Sequence, residues 1–374
     1  MLSPVEATEK TSQPAKVSVV MVVRNVETFL PEAIESILNQ TFKDFEFVIL
    51  DFGSTDQTKA IVSSYAARDG RIRLREVPTC GLAEARNAVA SLAKGQYIAI
   101  QDADDVSLPD RLRWQVGFMN EHPEVGVVGG AAEWINAQGQ HLWVMNMPTE
   151  DREIRSALVT RCPFMQTAVL MRREAFESVG KYRSAFAPAE DYDLWLRMSE
   201  WFRCANLEPV VVKYRIHPQQ VSISKRKIQT LCIVAARTSA RLRKAGSPDL
   251  FDSEKAITPE LLASLNVSDA EVEAELFSNY RDWIHNMASA KERSTALEIA
   301  GEVLRTEWEH IQTRDIARLH LKVARLNWQE KRYVESLLAV CHTVQLALGE
   351  FALAAHFGRA LLRRVWKVPR AICL

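Results

Sequence analysis

The sequence predicts an α/β fold in which a mostly parallel sheet is flanked by helices and is followed by an all-helical C-terminal module. Between residues 16 and 105, short β-branched and apolar runs alternate with segments of helical periodicity, which is typical of a parallel sheet covered on both faces. Beyond residue 225, several segments carry helical periodicity and no convincing strand pattern appears. We therefore expect a mobile tail at 1–15, a sheet domain at 16–225 and a helical module at 226–374.

The first half of the sheet domain reads as strand, helix, strand, helix, strand, helix, strand. The predicted strands are Val17–Val23, 45–50, 72–77 and Tyr97–Ile100, and the predicted helices are 29–40, a segment that ends near 65, and 81–94. In such sheets ligands bind beyond the carboxyl ends of the strands. Arg24, Asp51 and Asp102 follow or end three of these strands, so we expect them to meet in one crevice.

The second half of the sheet domain has a mixed pattern. It predicts helices at 109–121 and 190–201 and strands near 125–128, 133–135, 142–145, 167–171 and 210–215. The C-terminal module predicts helices at 226–245, 259–265, 269–290, 291–305, 313–328 and 331–347. Alanines at packing positions favour helical hairpins, either as a plain bundle or as a weakly tetratricopeptide-like pair.

Residues 101–105 (QDADD), here called the acidic turn, follow the last strand of the parallel half directly. Carboxylates this close repel each other unless a cation or a ligand compensates them. Oxygen ligands at alternate positions, Asp102 and Asp104, suit a hard ion such as Mg²⁺ or Mn²⁺. The alternative is a surface turn that caps the next helix, with Ser107 before Pro109 at a first helical position.

Composition excludes several classes of protein. The 374 residues have a formal net charge of +0, which argues against a dedicated nucleic-acid binder. The six cysteines show no CxxC pair and predict reduced thiols in a cytoplasmic protein.

The start lacks an apolar signal core, and no apolar run is long enough to span a membrane. Residues 359–370 mix basic and apolar side chains, which suggests a peripheral contact with an anionic membrane surface.

Six motifs in one order carry a resemblance to a known family. They are VSVVMVVRN (17–25), LDFGSTD (50–56), GLAEARN (81–87), GQYIAIQDADD (95–105), AEDYDLWLR (189–197) and YRIHPQQVS (214–222). The chain resembles the family 2 inverting glycosyltransferases, which have the GT-A fold. The resemblance implies a metal-dependent enzyme that moves a sugar from a nucleotide diphosphate sugar, with a UDP-sugar favoured, to a glycan or lipid-linked acceptor hydroxyl in cell-surface polysaccharide synthesis.

The resemblance also implies how the donor nucleotide is bound. It places Val23, Arg24 and Asp51 around the nucleotide, and a carboxylate such as Asp51 is suited to accept the imino hydrogen of a uracil-like base. Arg86 of the ARN motif is expected to approach the base or the diphosphate. The chain departs from the family at Phe52, where a second Asp is common, and at Val22, where Pro is common. Base identity therefore stays open.

The remaining roles concern the metal and the chemistry. The resemblance implies that Asp102 lies near the ribose and the metal, that Asp104 binds Mn²⁺ or Mg²⁺, and that His217 completes the metal shell. Asp105 is expected to support the turn. Asp191 is expected to be the general base that deprotonates the acceptor hydroxyl, and Glu190 is expected to contact acceptor or donor hydroxyls.

Two alternatives to a sugar transferase stay open. The first is a catalytically degenerate protein that binds a nucleotide sugar without turnover, which Phe52 makes conceivable. The second is a sugar nucleotidyltransferase, although such an enzyme should carry a glycine-rich phosphate loop after the first strand, where this chain has RNVETFL.

Overall fold

The structure is a computed structural model that describes residues 15–348. The chain forms two compact units. The described part of the first unit comprises residues 15–134, Trp143–Arg215 and Ala240–Lys255, and that of the second comprises Ile135–Leu142, Ile216–Ser239 and residues 256–348. The predicted boundary near residue 225 stays a prediction. The predicted tail, up to residue 14, and the basic segment 359–370 lie outside the described residues.

The parallel half of the sheet forms as its apolar pattern predicts. It consists of β1 (Val17–Val23), α1 (Leu30–Leu38), β2 (Phe45–Asp51), α2 (Thr58–Ala66), β3 (Ile72–Glu76), α3 (Leu82–Ser91) and β4 (Tyr97–Ile100). Strand β1 pairs in parallel with β2 and with β4, and Val23 lies opposite Asp51. Strands β1, β2 and β4 are almost wholly buried, as expected for a sheet covered on both faces, whereas β3 at the end of the strand order is partly exposed. Their carboxyl ends share one edge, which is where the predicted ligand residues emerge.

The second half of the sheet is antiparallel or mixed. Its elements are β5 (Val106–Ser107), α4 (Arg111–Glu121), β6 (Val125–Asn136), β7 (His141–Met145), α5 (Asp151–Leu158), β8 (Leu170–Arg172), α6 (Arg173–Ser178), α7 (Glu190–Trp201) and β9 (Arg203–Ile216). The strand order is β3-β2-β1-β4-β8-β6-β9-β5, and β7 pairs with β6. This mixed α/β sheet with its many helices confirms the predicted fold class.

Three local predictions were wrong in their bounds. The strands expected at 125–128 and 133–135 are one continuous strand, β6, and the strand expected at 210–215 begins at Arg203. The segment expected as a strand at 167–171 opens with a 3-10 turn at Gln166–Ala168. Sheet pairing explains the longer strands, because the pairing partner lies far away in the sequence.

Ser107 does not cap a helix. It belongs to β5, and the next residue, Leu108, donates its N–H to the carbonyl of Val211 at 2.9 Å. Helix α4 begins at Arg111 with Asp110 at the capping position. The alternative that the acidic turn caps the next helix through Ser107 is therefore wrong, because the segment after the turn pairs with β9 instead.

Strand β6 runs towards the same edge of the sheet as β4, the edge that carries the acidic turn. Strand β8 runs antiparallel to both β4 and β6, with Leu170 opposite Ala99 on one side and Val128 on the other. Strand β6 is therefore parallel to β4, and its end extends well past the level at which β4 stops.

The described residues beyond β9 form helices, as predicted for the C-terminal module. These helices are α8 (Val221–Ser224), α9 (Arg226–Lys244), α10 (Pro259–Ser264), α11 (Asp269–Ser289), α12 (Arg293–Arg305), α13 (Thr313–Gln329) and α14 (Tyr333–Leu348). Each of α11 to α13 packs against the helix that follows it. Thr258 and Ser268 cap α10 and α11 with their hydroxyls. None of the helices in the described residues is long and apolar enough to cross a membrane.

Candidate active site

The acidic turn is held from below by a buried amide. The Gln101 side chain donates from Nε2 to the carbonyls of Asp102 and Asp105, both at 2.9 Å. Its Oε1 accepts the hydroxyl of Ser107 at 2.6 Å. One glutamine therefore closes the loop between β4 and β5 and fixes the directions in which the carboxylates leave it.

A fully buried arginine, Arg111, supports the same turn. It donates to the carbonyls of Ile100 and Val169 at 2.8 and 2.9 Å and to the Ser107 hydroxyl at 2.8 Å. These acceptors are neutral, so burial lowers the pKa of Arg111 to about 9, partly offset by Asp102 and Asp105. Arg111 therefore places positive charge beneath the turn without neutralising any one carboxylate.

Asp105 is buried within the turn and has few partners. Its Oδ1 accepts the backbone N–H of Arg215 at 2.8 Å, and its Oδ2 has no hydrogen-bond partner. Burial, then the charges of Asp104 and Asp102, raise its pKa well above the ordinary value. Arg215 also donates from Nε to the Asp104 carbonyl at 2.9 Å, while its guanidinium pairs with Glu32 at 2.5 Å. The turn is thus tied to β9 by hydrogen bonds from both the backbone and the side chain of Arg215.

Arg86 joins the acidic turn to the start of α7. Its guanidinium pairs with Glu190, which is fully buried, and with Asp102 at 3.3 Å. The second oxygen of Glu190 has no hydrogen-bond partner. Burial raises the pKa of Asp102, partly offset by Arg86. A small pocket beside these groups is lined by Val22, Arg86, Ile100, Gln101, Asp102 and Tyr182.

Asp191 stands at the second residue of α7 and is half-buried. Its Oδ1 accepts the N–H of Tyr192 at 2.8 Å. Burial raises its pKa to about 6; the neighbouring Glu190 acts in the same direction, and Arg86 opposes it. A carboxylate that titrates near the working pH is suited to accept a proton and still be ionised beforehand.

An arginine clamp, defined here as Arg183, Asp193 and Arg197, fixes α7. Asp193 is fully buried and accepts the Nε of both arginines at 3.0 Å. Arg197 also donates to the carbonyl of Lys181 at 2.6 Å, next to Tyr182, which lines the pocket. The clamp therefore holds one wall of the site and the helix that carries Asp191 in one arrangement.

The loops after β1 and β2 form the nucleotide side of the predicted site. Asp51 accepts the N–H groups of Gly53 and Ser54 at Oδ1, at 3.0 and 2.8 Å. Gly53 has φ +102°, a conformation that favours glycine. Asp51 is therefore a turn-forming acid, and any base contact would use its other oxygen. Asn25 links the two loops by accepting the Thr55 N–H at 2.8 Å.

Arg24 and Val23, also predicted at the nucleotide, lie in different surroundings. Val23 is fully buried in the sheet and its carbonyl accepts the Phe52 N–H at 3.2 Å. Arg24 is exposed, with its guanidinium 5.8 Å from the centre of the Phe52 ring. Phe52, where the family commonly has Asp, thus supports a cation–π contact at this edge.

The structure brings together Arg86, Asp102, Glu190 and, through their charges, Asp191. It does not assemble a complete metal shell, since no group of three or more His, Cys, Asp and Glu side chains within residues 15–348 could hold an ion. Asp102 and Asp104 nevertheless fit a hard divalent cation, because their charges act on each other and Mg²⁺ usually takes waters and phosphates as its other ligands. His217 is buried directly after β9, and its metal role stays a prediction.

Several residues that support the site could not be predicted from the sequence. Gln101, Arg111 and the arginine clamp carry no signal by themselves, because their partners lie far away in the chain. The supporting role of Asn87 was not predicted either. Its side-chain amide exchanges two hydrogen bonds with the backbone of Tyr182, at 2.8 and 3.0 Å. Its position in the ARN motif, beside Arg86, was the one available hint.

The sheet with acidic groups at its carboxyl edge and a carboxylate pair at the start of α7 agrees with the GT-A type of glycosyltransferase that the motifs resemble. The family model described as Glycosyl transferase family 2 matches residues 18–180. EpsE of Bacillus subtilis (strain 168), whose name places it among the glycosyltransferases, is 38% identical over 208 residues, which cover 54% of this chain and 73% of EpsE. The chain belongs to glycosyl transferase family 2.

Two further similarities agree with this assignment. The O-antigen biosynthesis glycosyltransferase WbnJ of Escherichia coli is 30% identical over 205 residues, or 54% of this chain and 80% of WbnJ. The crystal structure of S. aureus TarS 1-349 in complex with UDP-GlcNAc matches 86% of this chain and 89% of that chain, with a TM-score of 0.51 and 17% identity. At that identity the similarity to TarS shows the fold alone.

Proposed function

We propose that the protein is a metal-dependent inverting glycosyltransferase that moves a sugar from a nucleotide diphosphate sugar to an acceptor hydroxyl. The observation that carries the proposal is Asp191, half-buried with a pKa of about 6 beside the Arg86, Glu190 and Asp102 cluster. A glycan or lipid-linked acceptor in cell-surface polysaccharide synthesis is supported by the names of WbnJ and of the amylovoran biosynthesis glycosyltransferase AmsE of Erwinia amylovora, which is 29% identical.

Asp191 would act as the general base. Its carboxylate takes the proton of the acceptor hydroxyl while that oxygen forms a bond to the anomeric carbon. The bond from this carbon to the diphosphate oxygen breaks on the opposite side, and the leaving nucleoside diphosphate keeps the electron pair. One displacement of this kind inverts the anomeric centre. Glu190 has a buried oxygen without a partner, which could accept a hydrogen bond from a sugar hydroxyl.

The donor would bind along the carboxyl edge of the sheet. Arg86 offers a guanidinium to the diphosphate, and Asp51 offers its second oxygen to the imino hydrogen of a uracil-like base, which favours a UDP-sugar. Asp102 and Asp104 would hold Mn²⁺ or Mg²⁺, and the expected part of His217 in the metal shell stays a prediction. Such an ion, when bound, neutralises charge that develops on the leaving diphosphate. Arg111 and Gln101 keep the carboxylates of the turn in place.

The test measures transfer from UDP, GDP, dTDP and CDP sugars with Mn²⁺, for the wild type and Asp191→Asn. We expect the variant to lose about 10²- to 10⁴-fold in kcat with little change in donor affinity, because Asp191 does not hold the nucleotide. Asp110→Asn, an exposed acid paired with Arg113, is the matched control. Transfer by Asp191→Asn near the wild-type rate would refute the assigned base.

The same experiment separates the two alternatives. A degenerate protein, which Phe52 still allows, would bind one of these nucleotide sugars and release no nucleotide. A nucleotidyltransferase would instead form the nucleotide sugar and release pyrophosphate from a nucleoside triphosphate and a sugar phosphate.

A further inference from the structure

Three aromatic rings form a cluster on β6, β7 and β9 that the proposed chemistry does not use. The indoles of Trp134 and Trp143 are stacked, with centroids 5.0 Å apart and an interplanar angle of 24°. The Tyr214 ring meets Trp134 edge-on, with centroids 4.8 Å apart. Trp143 and Tyr214 are half-buried, so this aromatic platform, as we call the three residues, retains solvent-accessible surface.

The platform occupies one face of its strands. The residues preceding Trp134 and Tyr214 are Glu133 and Lys213, which form an ion pair at 3.9 Å. Because successive side chains of a strand point to opposite faces, the charged pair lies on one face and the aromatic rings on the other. The aromatic character is therefore confined to a defined surface.

The platform lies at the edge of the sheet that carries the acidic turn. Strand β6 is parallel to β4, and Val128 is level with Ala99 through their shared partner Leu170. Trp134 is six residues further along, or about 20 Å in the direction in which β4 runs. Tyr214 directly precedes Arg215, whose backbone N–H donates to Asp105. The platform thus borders the region beyond the strand ends where the donor would bind.

One polar atom of the platform is left unsatisfied. Trp134 is 7% exposed, and its indole N–H is buried without a hydrogen-bond partner. A buried donor without a partner costs free energy, and buried tryptophan N–H groups usually find an acceptor. Because this donor is closed off from solvent, a ligand oxygen could reach it only if the neighbouring side chains moved.

We propose that Trp134, Trp143 and Tyr214 form an acceptor subsite that binds a pyranose ring. The C–H face of a pyranose is apolar and flat enough to lie on the half-buried aromatic rings of Trp143 and Tyr214. The inference rests on the proposed transferase function and deepens it, since it makes the acceptor a saccharide. A lipid phosphate without a sugar has no such face and would not use the platform.

The experiment measures binding of methyl β-glycosides of glucose, galactose and N-acetylglucosamine to the full chain by saturation-transfer difference NMR. We expect binding of at least one of them, with the strongest saturation on the protons of one ring face. Trp143→Leu keeps an apolar side chain but removes the aromatic face, and should weaken binding by about fivefold to tenfold. Trp143→Phe keeps a ring and should stay within about threefold of the wild type.

Trp201→Ala is the matched control, since this tryptophan is 78% exposed at the end of α7 and lies outside the platform. It should bind the glycosides as the wild type does. Equal binding by Trp143→Leu and the wild type, or no glycoside binding by the wild type, overturns the subsite.

Turnover of the donor is measured separately on the same samples. A circular dichroism spectrum and a thermal unfolding midpoint that match those of the wild type show that Trp143→Leu is folded. Wild-type protein that binds a glycoside but never consumes a nucleotide sugar would contradict the transferase function and leave the saccharide subsite standing. Wild-type protein that consumes a nucleotide sugar but binds no glycoside would contradict the saccharide subsite and leave the transferase function standing.

Discussion

Two buried aspartates of the sheet unit, Asp193 and Asp105, have opposite surroundings. Asp193 in the arginine clamp accepts hydrogen bonds from two guanidinium groups, Arg183 and Arg197. Asp105 in the acidic turn accepts one backbone N–H, from Arg215, and its other hydrogen-bonding neighbour is the neutral side chain of Thr167. The nearby arginine, Arg111, donates its hydrogen bonds to neutral oxygens.

The difference separates a structural role from a binding role. Where the charges are matched, as around Asp193, the ion pairs fix the position of α7 and of the pocket wall at Tyr182. In the acidic turn, burial and the charges of Asp104 and Asp102 raise the pKa of Asp105, so the carboxylates disfavour one another's ionised form. A bound divalent ion would offset this repulsion. Four changes would break or sharpen this comparison.

The largest effect is expected for Asp193→Asn. The change removes the Asp193 carboxylate from two buried guanidinium groups; Arg183 keeps its ion pair with Asp249 at 2.9 Å, whereas Arg197 loses the carboxylate that it pairs with. Breaking such a buried pair costs about 3–5 kcal/mol. Chemical denaturation followed by circular dichroism measures the loss in the free energy of unfolding. Asp110→Asn, which breaks the ion pair with Arg113 at the surface, should have the same free energy of unfolding as the wild type. A small loss for Asp193→Asn would mean that the clamp is not the element that fixes α7.

A divalent ion should stabilise the wild type by a smaller amount. Mn²⁺ at 100 times its dissociation constant raises the free energy of unfolding by about 2.7 kcal/mol if it binds the folded state alone. Thermal unfolding with Mn²⁺ and with a chelator measures this difference. Asp104→Asn should remove most of it, because it deletes a proposed ligand. An unchanged Mn²⁺ effect in Asp104→Asn would place the ion elsewhere.

The pH dependence of transfer comes next. Asp191 acts as a base only when ionised, and its pKa in the folded protein is raised to about 6. The rate constant kcat/KM should therefore fall about tenfold per pH unit below this value and level off above it. A bound cation near the turn would move the midpoint lower, since it favours the ionised carboxylate. The residual rate of Asp191→Asn should show no such step.

The smallest effect is expected for Asp105→Asn in the absence of metal. Because burial and neighbouring acids already disfavour the charged carboxylate, the neutral amide should change the free energy of unfolding by less than about 1 kcal/mol. Its Oδ1 can still accept the Arg215 N–H. Differential scanning calorimetry with a chelator tests this. A loss as large as that of Asp193→Asn would abolish the contrast between the two aspartates.

The sequence predicted the elements better than their long-range contacts. Helix α7 begins and ends where the periodicity placed it, because its pattern is local. The sequence left open the alternative that Ser107 caps the next helix, since its pairing partner in β9 lies about a hundred residues away in the chain. Arg111 looked like an ordinary helical residue, although it is fully buried beneath the acidic turn. Burial of this kind depends on the packed sheet and leaves no local signal.

The candidate site shows the same division. The motifs identified Arg86, Asp102, Glu190 and Asp191, which the structure brings together. The sequence could not show that Glu190 is paired with Arg86, because the two lie 104 residues apart. The role of Asn87 depends in the same way on a distant backbone segment. Motif position therefore predicts membership in the site, and tertiary packing decides each residue's partner.

The tie between Arg215 and the acidic turn also sets an order during synthesis. Asp105 and Arg215 are 110 residues apart, so the turn leaves the ribosome well before the strand that completes it. At about 5–20 residues per second, that interval lasts about 6–22 s. For that time the nascent parallel half carries its carboxylates without the backbone N–H that Asp105 accepts. A donor therefore meets its finished site only after β9 has been translated and has joined the sheet.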